Sequence, residues 1–433
     1  MSKLVYDIPR KLFLVLLLTV LVFSILLLKS QTLPQLNIDP FLYVYAVFVI
    51  CFFMFRVAGA LFYRASLNGI LNHKATEEEV EYEPTVTFVI PCLNEEGAIQ
   101  KTIEKCFAAE YPKEKLEVIV INDGSTDNTP QILQELKATK FPELVIVNWE
   151  ENKGKRPGMA TGFRMAKGEI VIQLDSDSYI EPHTFRQMIT PFVHPDVGAV
   201  SGHTDPENAD ENFITKMQAA YYFISFRIMK ASESTFHTVF CCSGCASAFR
   251  KSAVLPFLDK WLNERFLGAP VTYGDDRALT SWLLKNNFKT VYKDNVQAFT
   301  IVPTKMKKLF KQQLRWKKSW IINAFFTGRF IVFKQPFVAL FYFYPLVLIS
   351  YLSPIMAFRS IFYQPISYGR SPVYYLLGVF AITIFVIVYG SFFSQKRKYL
   401  SYFLYWQILN TFAFIYIIYI AAFKIKDRGW GTR

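Results

Sequence analysis

The strongest constraint on this chain is where its apolar residues fall. They gather into long runs at the two ends and leave a polar, α/β-patterned middle between them. Residues 11–29 are nearly all apolar, long enough at about 1.5 Å per residue to cross a hydrocarbon core of about 30 Å. A second run, 41–63, follows a short loop holding Pro34 and Pro40, and further runs lie at 336–358, 373–393 and 401–423. A chain so divided is expected to be an integral membrane protein, with a cytoplasmic α/β domain inserted between transmembrane helices. Hydrophobic residues make up 52 % of the whole, with 42 Phe and 24 Tyr, which already excludes an ordinary soluble enzyme.

Charge sets the expected orientation. Lys3, Arg10 and Lys11 precede the first run, and cytoplasmic flanks are the ones that retain Lys and Arg. No small-residue cleavage site follows, so the run reads as an anchor and not as a removable signal. The first two runs then form a hairpin that returns the chain to the cytoplasm. Arg56 lies past the middle of the second run, and the simpler reading is that it snorkels to the interface. Gln395-Lys396-Arg397-Lys398 marks another cytoplasmic loop. A third full span after residue 336 would put the tail outside, yet the tail carries Lys424, Lys426, Arg428 and Arg433. The 401–423 run is therefore read as interfacial or re-entrant.

Between the apolar ends, Glu77-Glu78-Glu79 and Glu81 open a soluble segment. Strands are predicted at 86–90, 116–121, 144–147 and 170–172, with helices at 96–108 and 129–136. Strands separated by helices make right-handed crossovers and a parallel sheet, whose ligands bind beyond the carboxyl ends of the strands. That rule selects Asp123 and the Asp175-Ser176-Asp177 triplet and places them on one rim. Residues 205–300 are less regular, with a helix predicted from 276 to 286. At 305–326, Lys305, Lys307, Lys308, Lys311, Arg315, Lys317 and Lys318 alternate with Met306, Leu309, Phe310, Leu314, Ile321 and Phe325, the pattern of a helix lying in a membrane interface. This stretch holds much of the +13 net charge, so the basic partner surface is lipid or an anionic substrate and not nucleic acid. The expected division is a hairpin at 1–64, the catalytic domain at 65–304, interface helices at 305–335 and a membrane region at 336–433. The six Cys show no disulfide framework.

Several motifs carry chemistry, each with a plainer alternative. Two acids one residue apart at a strand end, Asp175 and Asp177, suit a hard cation shared with a phosphate; most such pairs are solvated turns. Asn122-Asp123-Gly124 follows a strand, where a carboxylate can accept from a nucleobase or ribose, or can simply make an Asx turn. Asn152-Lys153-Gly154-Lys155-Arg156 precedes a helix and suits a diphosphate, or is a solvated charge run. Gly274-Asp275-Asp276-Arg277 opens a helix, either poising one acid as a general base or capping the helix. Gln312, Arg315 and Trp316 fall on one helical face. His237, Cys241, Cys242 and Cys245 contain metal-ligand types, but no second Cys pair completes a zinc site; thiols beside a substrate pocket are the better reading.

In this order, Asp123, Asp175-Ser176-Asp177, Gly274-Asp275-Asp276 and Gln312-x-x-Arg315-Trp316 resemble the processive family-2 inverting glycosyltransferases of the GT-A fold, over residues 85–320. Gly274-Asp275-Asp276-Arg277, Gln312 to Ser319 and Trp430-Gly431-Thr432-Arg433 are most similar to hyaluronan synthases, with chitin synthases next. The resemblance implies that Asp123 and Lys155 hold uridine diphosphate, that Asp175 contacts nucleotide or donor sugar, and that Asp177 coordinates Mg²⁺ or Mn²⁺. It implies that Asp276 is the base, with Asp275 beside the acceptor, that Gln312 and Arg315 hold the leaving diphosphate, and that Trp316 lies under the acceptor sugar. Cys241, Ser243 and Gly244 match the acceptor-side priming loop. Trp430 to Arg433 resembles the gating loop over bound nucleotide. Hyaluronan synthases commonly have Ser-Gly-Pro where this chain has Ser243-Gly244-Cys245. The tetrad also ends the chain, as in bacterial-type members.

The implied reaction polymerises UDP-GlcNAc and UDP-GlcA into a β-linked polysaccharide, exported through the protein's own helices in the cell membrane. The alternatives are a chitin or poly-N-acetylglucosamine synthase, a polyprenyl-phosphate sugar transferase, and, from another class, an inactive polysaccharide channel or scaffold.

Overall fold

The computed structural model describes residues 39–71, 82–393 and 397–427, with scattered positions between 13 and 27. Most of the first expected membrane run, the acidic 77–81 stretch, Gln395-Lys396 and the Trp430–Arg433 tetrad lie outside the described residues.

After helix α1 (Pro40–Leu71), the four predicted strands are present as β1 (Val86–Cys92), β2 (Leu116–Asp123), β3 (Val145–Trp149) and β4 (Ile170–Gln173). Helices α2 (Ile99–Phe107), α3 (Thr129–Thr139) and α4 (Lys155–Met165) alternate with them. β1 runs parallel to β2 and β4, and β2 runs parallel to β3. Every residue of β1 is buried, because helices cover both faces; such a strand reads as a continuous apolar run and not as an alternation. The register sets Cys92 beside Asn122 and Asp123 beside Trp149, so the strand ends share one rim, as the pattern implied.

The other half of the sheet was not legible in the sequence. β5 (Ser178–Ile180), β6 (Val197–Pro206), β7 (Ser247–Arg250) and β8 (Lys289–Thr300) extend it to eight strands in the order β3-β2-β1-β4-β7-β6-β8-β5. β7 is antiparallel to both β4 and β6, β8 is parallel to β6, and β5 is antiparallel to β8. The sheet is thus mixed and not wholly parallel. β8 mixes Lys289, Lys293 and Asp294 with Val291 and Tyr292, which hid its strand character. Helices α5 (Asp275–Lys285) and α6 (Met306–Gly328) follow the predicted positions.

Three helical stretches among the described residues are long and apolar enough to cross a membrane: Pro40–Tyr63, Pro336–Tyr368 and Val373–Phe392. The last apolar run is not one straight helix, because Tyr402–Phe412 and Phe414–Phe423 meet at a bend of 48°. Two expectations need correction. Arg56 does not snorkel: it is 8 % exposed, and its Nε donates to the Tyr342 hydroxyl at 2.9 Å. Lys318 does not face headgroups. It is buried, with Nζ on the Asp427 carbonyl at 3.1 Å and over the Tyr273 ring. The exposed cations of this stretch are those at its start, Lys305, Lys307, Lys308 and Lys311.

Candidate active site

The rim carries the acids that the motifs selected. Asp123 ends β2 and is buried, with Oδ1 accepting from the Lys153 N–H at 2.6 Å and Oδ2 from the Gly154 N–H at 2.9 Å. Burial pushes its carboxyl up, and these two N–H groups pull part of that back. The loop that grips Asp123 runs directly into α4, whose first residue is Lys155. Lys155 Nζ forms an ion pair with Asp175 Oδ1. Burial pulls the ammonium down, but Asp175, Asp275 and Asp276 more than offset it, and Lys155 is held above its ordinary value.

Asp175 leaves β4 at the point where the two halves of the sheet meet. Its N–H donates to the Gly244 carbonyl at 2.9 Å. On the other side of the same loop, the Gly244 N–H donates to Asp276 Oδ2 at 3.3 Å, and the Cys241 thiol meets that oxygen at 3.6 Å. A Cβ on Gly244 would stand 2.7 Å from Asp175 Oδ1, so a side chain here would push the Asp175 carboxylate aside. Asp175 and Asp276 are 101 positions apart in sequence (276 − 175), and one residue of the loop touches both. Burial pushes the Cys241 thiol up to about 12, with the Asp276 charge adding to the effect. It is therefore a neutral S–H donor and not a thiolate. Lys230 steadies the loop from behind, its Nζ on Ser243 Oγ and Ser201 Oγ at 2.9 Å each.

The adjacent acids of α5 have opposite fates. Gly274 takes the left-handed conformation at φ +71° and turns the chain into the helix. A Cβ there would lie 1.9 Å from Ser319 Oγ, so this turn packs directly on α6. Asp276 faces the loop. Asp275 was expected beside the acceptor, but its side chain is 4 % exposed and its Oδ1 is taken by Arg156 Nε at 2.8 Å. Arg156 also donates to the Trp261 carbonyl and to Glu264 and lies over the Trp261 ring. Burial raises the Asp275 carboxyl, and Arg156 and Lys155 only partly restore it. Asp275 therefore fixes the α5 start from within the core. In the Asn152–Gly158 loop, only Lys155 of the Lys155-Arg156 pair is placed for a substrate anion. Arg156, Lys230 and Trp261 are the supporting residues that the motifs missed; Arg156 was visible only as one more cation in a basic loop.

On α6, Gln312, Arg315 and Trp316 are half-buried on one face. Trp316 lies against Tyr222 with ring centres 6.3 Å apart, and Gln312 Oε1 is buried with no hydrogen-bond partner among the described residues. Asp177 is 6 % exposed and accepts from Ser178 Oγ at 3.0 Å. It lines a cavity of about 390 Å³ together with Lys101, Tyr179, Glu207 and Asn208. Among the described residues no group of three or more His, Cys, Asp or Glu forms a metal cage. The acids Asp175 and Asp177 instead fit a hard cation that takes most of its shell from a substrate diphosphate and water. Trp430 and Arg433 lie outside the described residues. The chain before them is anchored at the Asp427 carbonyl by the Tyr273 hydroxyl at 2.6 Å and by Lys318.

Comparison with known proteins points the same way. Residues 87–255 match the model of glycosyl transferase family 2. That stretch is a family-2 glycosyltransferase domain. The resemblance read from the motifs is borne out. The chain is 29 % identical over 357 residues to the hyaluronan synthase of Streptococcus pyogenes, covering 80 % of this chain and 83 % of that one. It is 30 % identical over 260 residues to an N-acetylglucosaminyltransferase of Rhizobium meliloti, covering 59 % and 60 %. In fold, the glycosyltransferase is similar to a mannosyltransferase of Pyrobaculum calidifontis in complex with GDP-Man and Mn²⁺, with a TM-score of 0.57 and 19 % identity over 90 % of this chain and all of that one.

Proposed function

We propose that this glycosyltransferase is a processive membrane synthase that polymerises UDP-sugars by inversion into a β-linked polysaccharide, hyaluronan with alternating GlcNAc and GlcA. The observation that carries the reading is the meeting at Gly244 of the Asp175–Lys155 pair and the Asp276 carboxylate. A nucleotide-sugar donor and a hydroxyl acceptor need such groups within one sugar's width of each other.

Asp123 accepts from the uridine portion, which adds donors to a carboxylate now held only by backbone N–H groups. Lys155 leaves Asp175 for the diphosphate, and the freed Asp175 accepts from the donor sugar. Asp177, with Asp175 near it, would hold Mg²⁺ or Mn²⁺, which supplies charge neutralisation to the leaving diphosphate. Gln312, through its amide N–H groups, and Arg315 add donors to that diphosphate. Trp316 offers its ring to the acceptor sugar. Asp276 takes the proton from the acceptor hydroxyl, oriented by the Gly244 N–H and the Cys241 thiol. The hydroxyl oxygen then bonds to the anomeric carbon as the bond to the diphosphate breaks, inverting that carbon in one displacement. Cys241, Ser243 and Gly244 line the acceptor side, Asp275 holds the α5 start behind Asp276, and Trp430 and Arg433 close over the nucleotide. The domain faces the cytoplasm, where UDP-sugars are made, and the flanking helices of the cell membrane pass the polymer outward.

The similarity to an N-acetylglucosaminyltransferase and the Cys245 substitution favour one second reading, a homopolymer of N-acetylglucosamine. Proteoliposomes given UDP-GlcNAc and UDP-GlcA, singly and together, separate the two. Hyaluronan requires both donors; polymer from UDP-GlcNAc alone establishes the homopolymer.

A further inference from the structure

One buried charge has no part in the chemistry above. Arg56 sits within the apolar Pro40–Tyr63 stretch, yet its side chain is only 10 % exposed. A guanidinium in such a place is costly unless its partners are fixed. Those partners are the Tyr342 hydroxyl at 2.9 Å, the Tyr342 and Phe52 rings, and Glu233 Oε1 at 3.9 Å. Glu233 is equally buried, and its second oxygen accepts from the Phe240 N–H at 3.1 Å. Phe240 is the residue before Cys241.

The segment from Met229 to Phe240 is tied to membrane helices at several further points. Thr235 Oγ1 donates to the Gly59 carbonyl at 2.7 Å, the Tyr342 hydroxyl reaches the Met229 carbonyl at 3.4 Å, and Thr238 pairs with Gln335 beside the Pro336 helix. At its other end the same segment becomes the loop whose Cys241 and Gly244 hold Asp276 and whose Gly244 carbonyl holds Asp175. Cys242 N–H is pinned to Thr280 of α5 at 3.0 Å. A continuous set of polar contacts thus runs from a membrane helix to the acids of the site.

We propose that Arg56 is a positioning residue for sugar transfer, acting through Glu233 and the Phe240 N–H on the 241–244 loop that orients Asp276. The proposal rests on Asp276 being the base of the reaction above. UDP binding is expected to be spared, because Asp123 is held by the Lys153 and Gly154 N–H groups in the other half of the sheet, and the loop reaches the donor side only through the Gly244 carbonyl on the Asp175 N–H. Displacing a reacting group by about 1 Å costs on the order of 10²-fold in rate, so a small shift of this loop is enough to register.

The test uses the full chain in nanodiscs as wild type, Arg56→Met, Glu233→Leu and Glu233→Gln. Three quantities are read: UDP affinity, UDP released with UDP-GlcNAc and UDP-GlcA supplied together, and labelling of Cys241 by N-ethylmaleimide. The expected result for Arg56→Met is UDP affinity within about twofold of wild type, transfer lower by about 10- to 100-fold, and faster Cys241 labelling. Glu233→Gln keeps an oxygen for the Phe240 N–H and should recover most of the transfer that Glu233→Leu loses. The proposal is overturned if UDP affinity and transfer fall in parallel in every variant, the mark of a merely structural pair. It is equally overturned if Arg56→Met labels Cys241 at the wild-type rate. If the wild type releases no UDP from the two donors together, the functional reading fails, while the labelling difference still decides the role of Arg56.

Discussion

The two halves of the sheet hold their acids in different ways. In the parallel half, Asp123 is gripped by backbone N–H groups from the loop after the neighbouring strand, 30 and 31 residues away. In the mixed half, Asp276 is oriented by a loop 32 and 35 residues away, and that loop is itself fastened to helices of the membrane region. The first arrangement is self-contained within β-strand, loop and helix. The second depends on parts of the chain that have no local relation to one another. Nucleotide binding should therefore be robust to changes on the acceptor side, and transfer should not.

The sharpest way to break this division is Asp276→Asn. It should lower transfer by about 10²- to 10⁴-fold and leave UDP affinity within about twofold, as measured by titration calorimetry. Retained transfer would remove Asp276 from the chemistry and with it the distinction between the halves. Its neighbour should behave oppositely. Asp275→Ala leaves Arg156 buried with half of its carboxylate partners gone, a loss of about 3–5 kcal/mol, read as a lower unfolding midpoint in detergent. Asp276→Asn should not move that midpoint. The smallest effect is expected at the turn. Gly274→Ala forces a side chain into a left-handed residue at about 1–2 kcal/mol and drives its Cβ into Ser319. Adding Ser319→Gly should recover the steric part of the loss and leave the backbone part.

The same division explains what could be read from the amino acids alone. β1 and β4 are buried along their whole length, so Val86–Ile90 and Ile170–Ile172 stand out as apolar runs, and the acids at this end of the sheet fall on the rim by topology. The Asp276 and Arg315 motifs could be picked out locally, as a helix start and as one helical face, but their roles came from family resemblance. β6 to β8 were missed because their pairing joins distant segments, as with Val200 to Ala248 and to Val291. Arg156 and Asp275 are 119 residues apart, and nothing local distinguishes a cation that will be buried from one that will be solvated. Arg56 was misread for the same reason. Its partners, Glu233 and Tyr342, lie within the catalytic domain and in the membrane region beyond it, far from Arg56 in sequence.

The contact of Gly244 with both acids bears on how such an enzyme can be redesigned. Variation aimed at a new acceptor can be placed at Cys241, Ser243 and Cys245, which are only half-buried, at the cost of their contacts with Asp276, Lys230 and Asp175. Position 244 offers no such freedom, since any side chain would displace Asp175 and disturb the donor at the same moment. A library that randomises the whole loop will therefore return mostly inactive clones at that one codon, whatever sugar is being selected for.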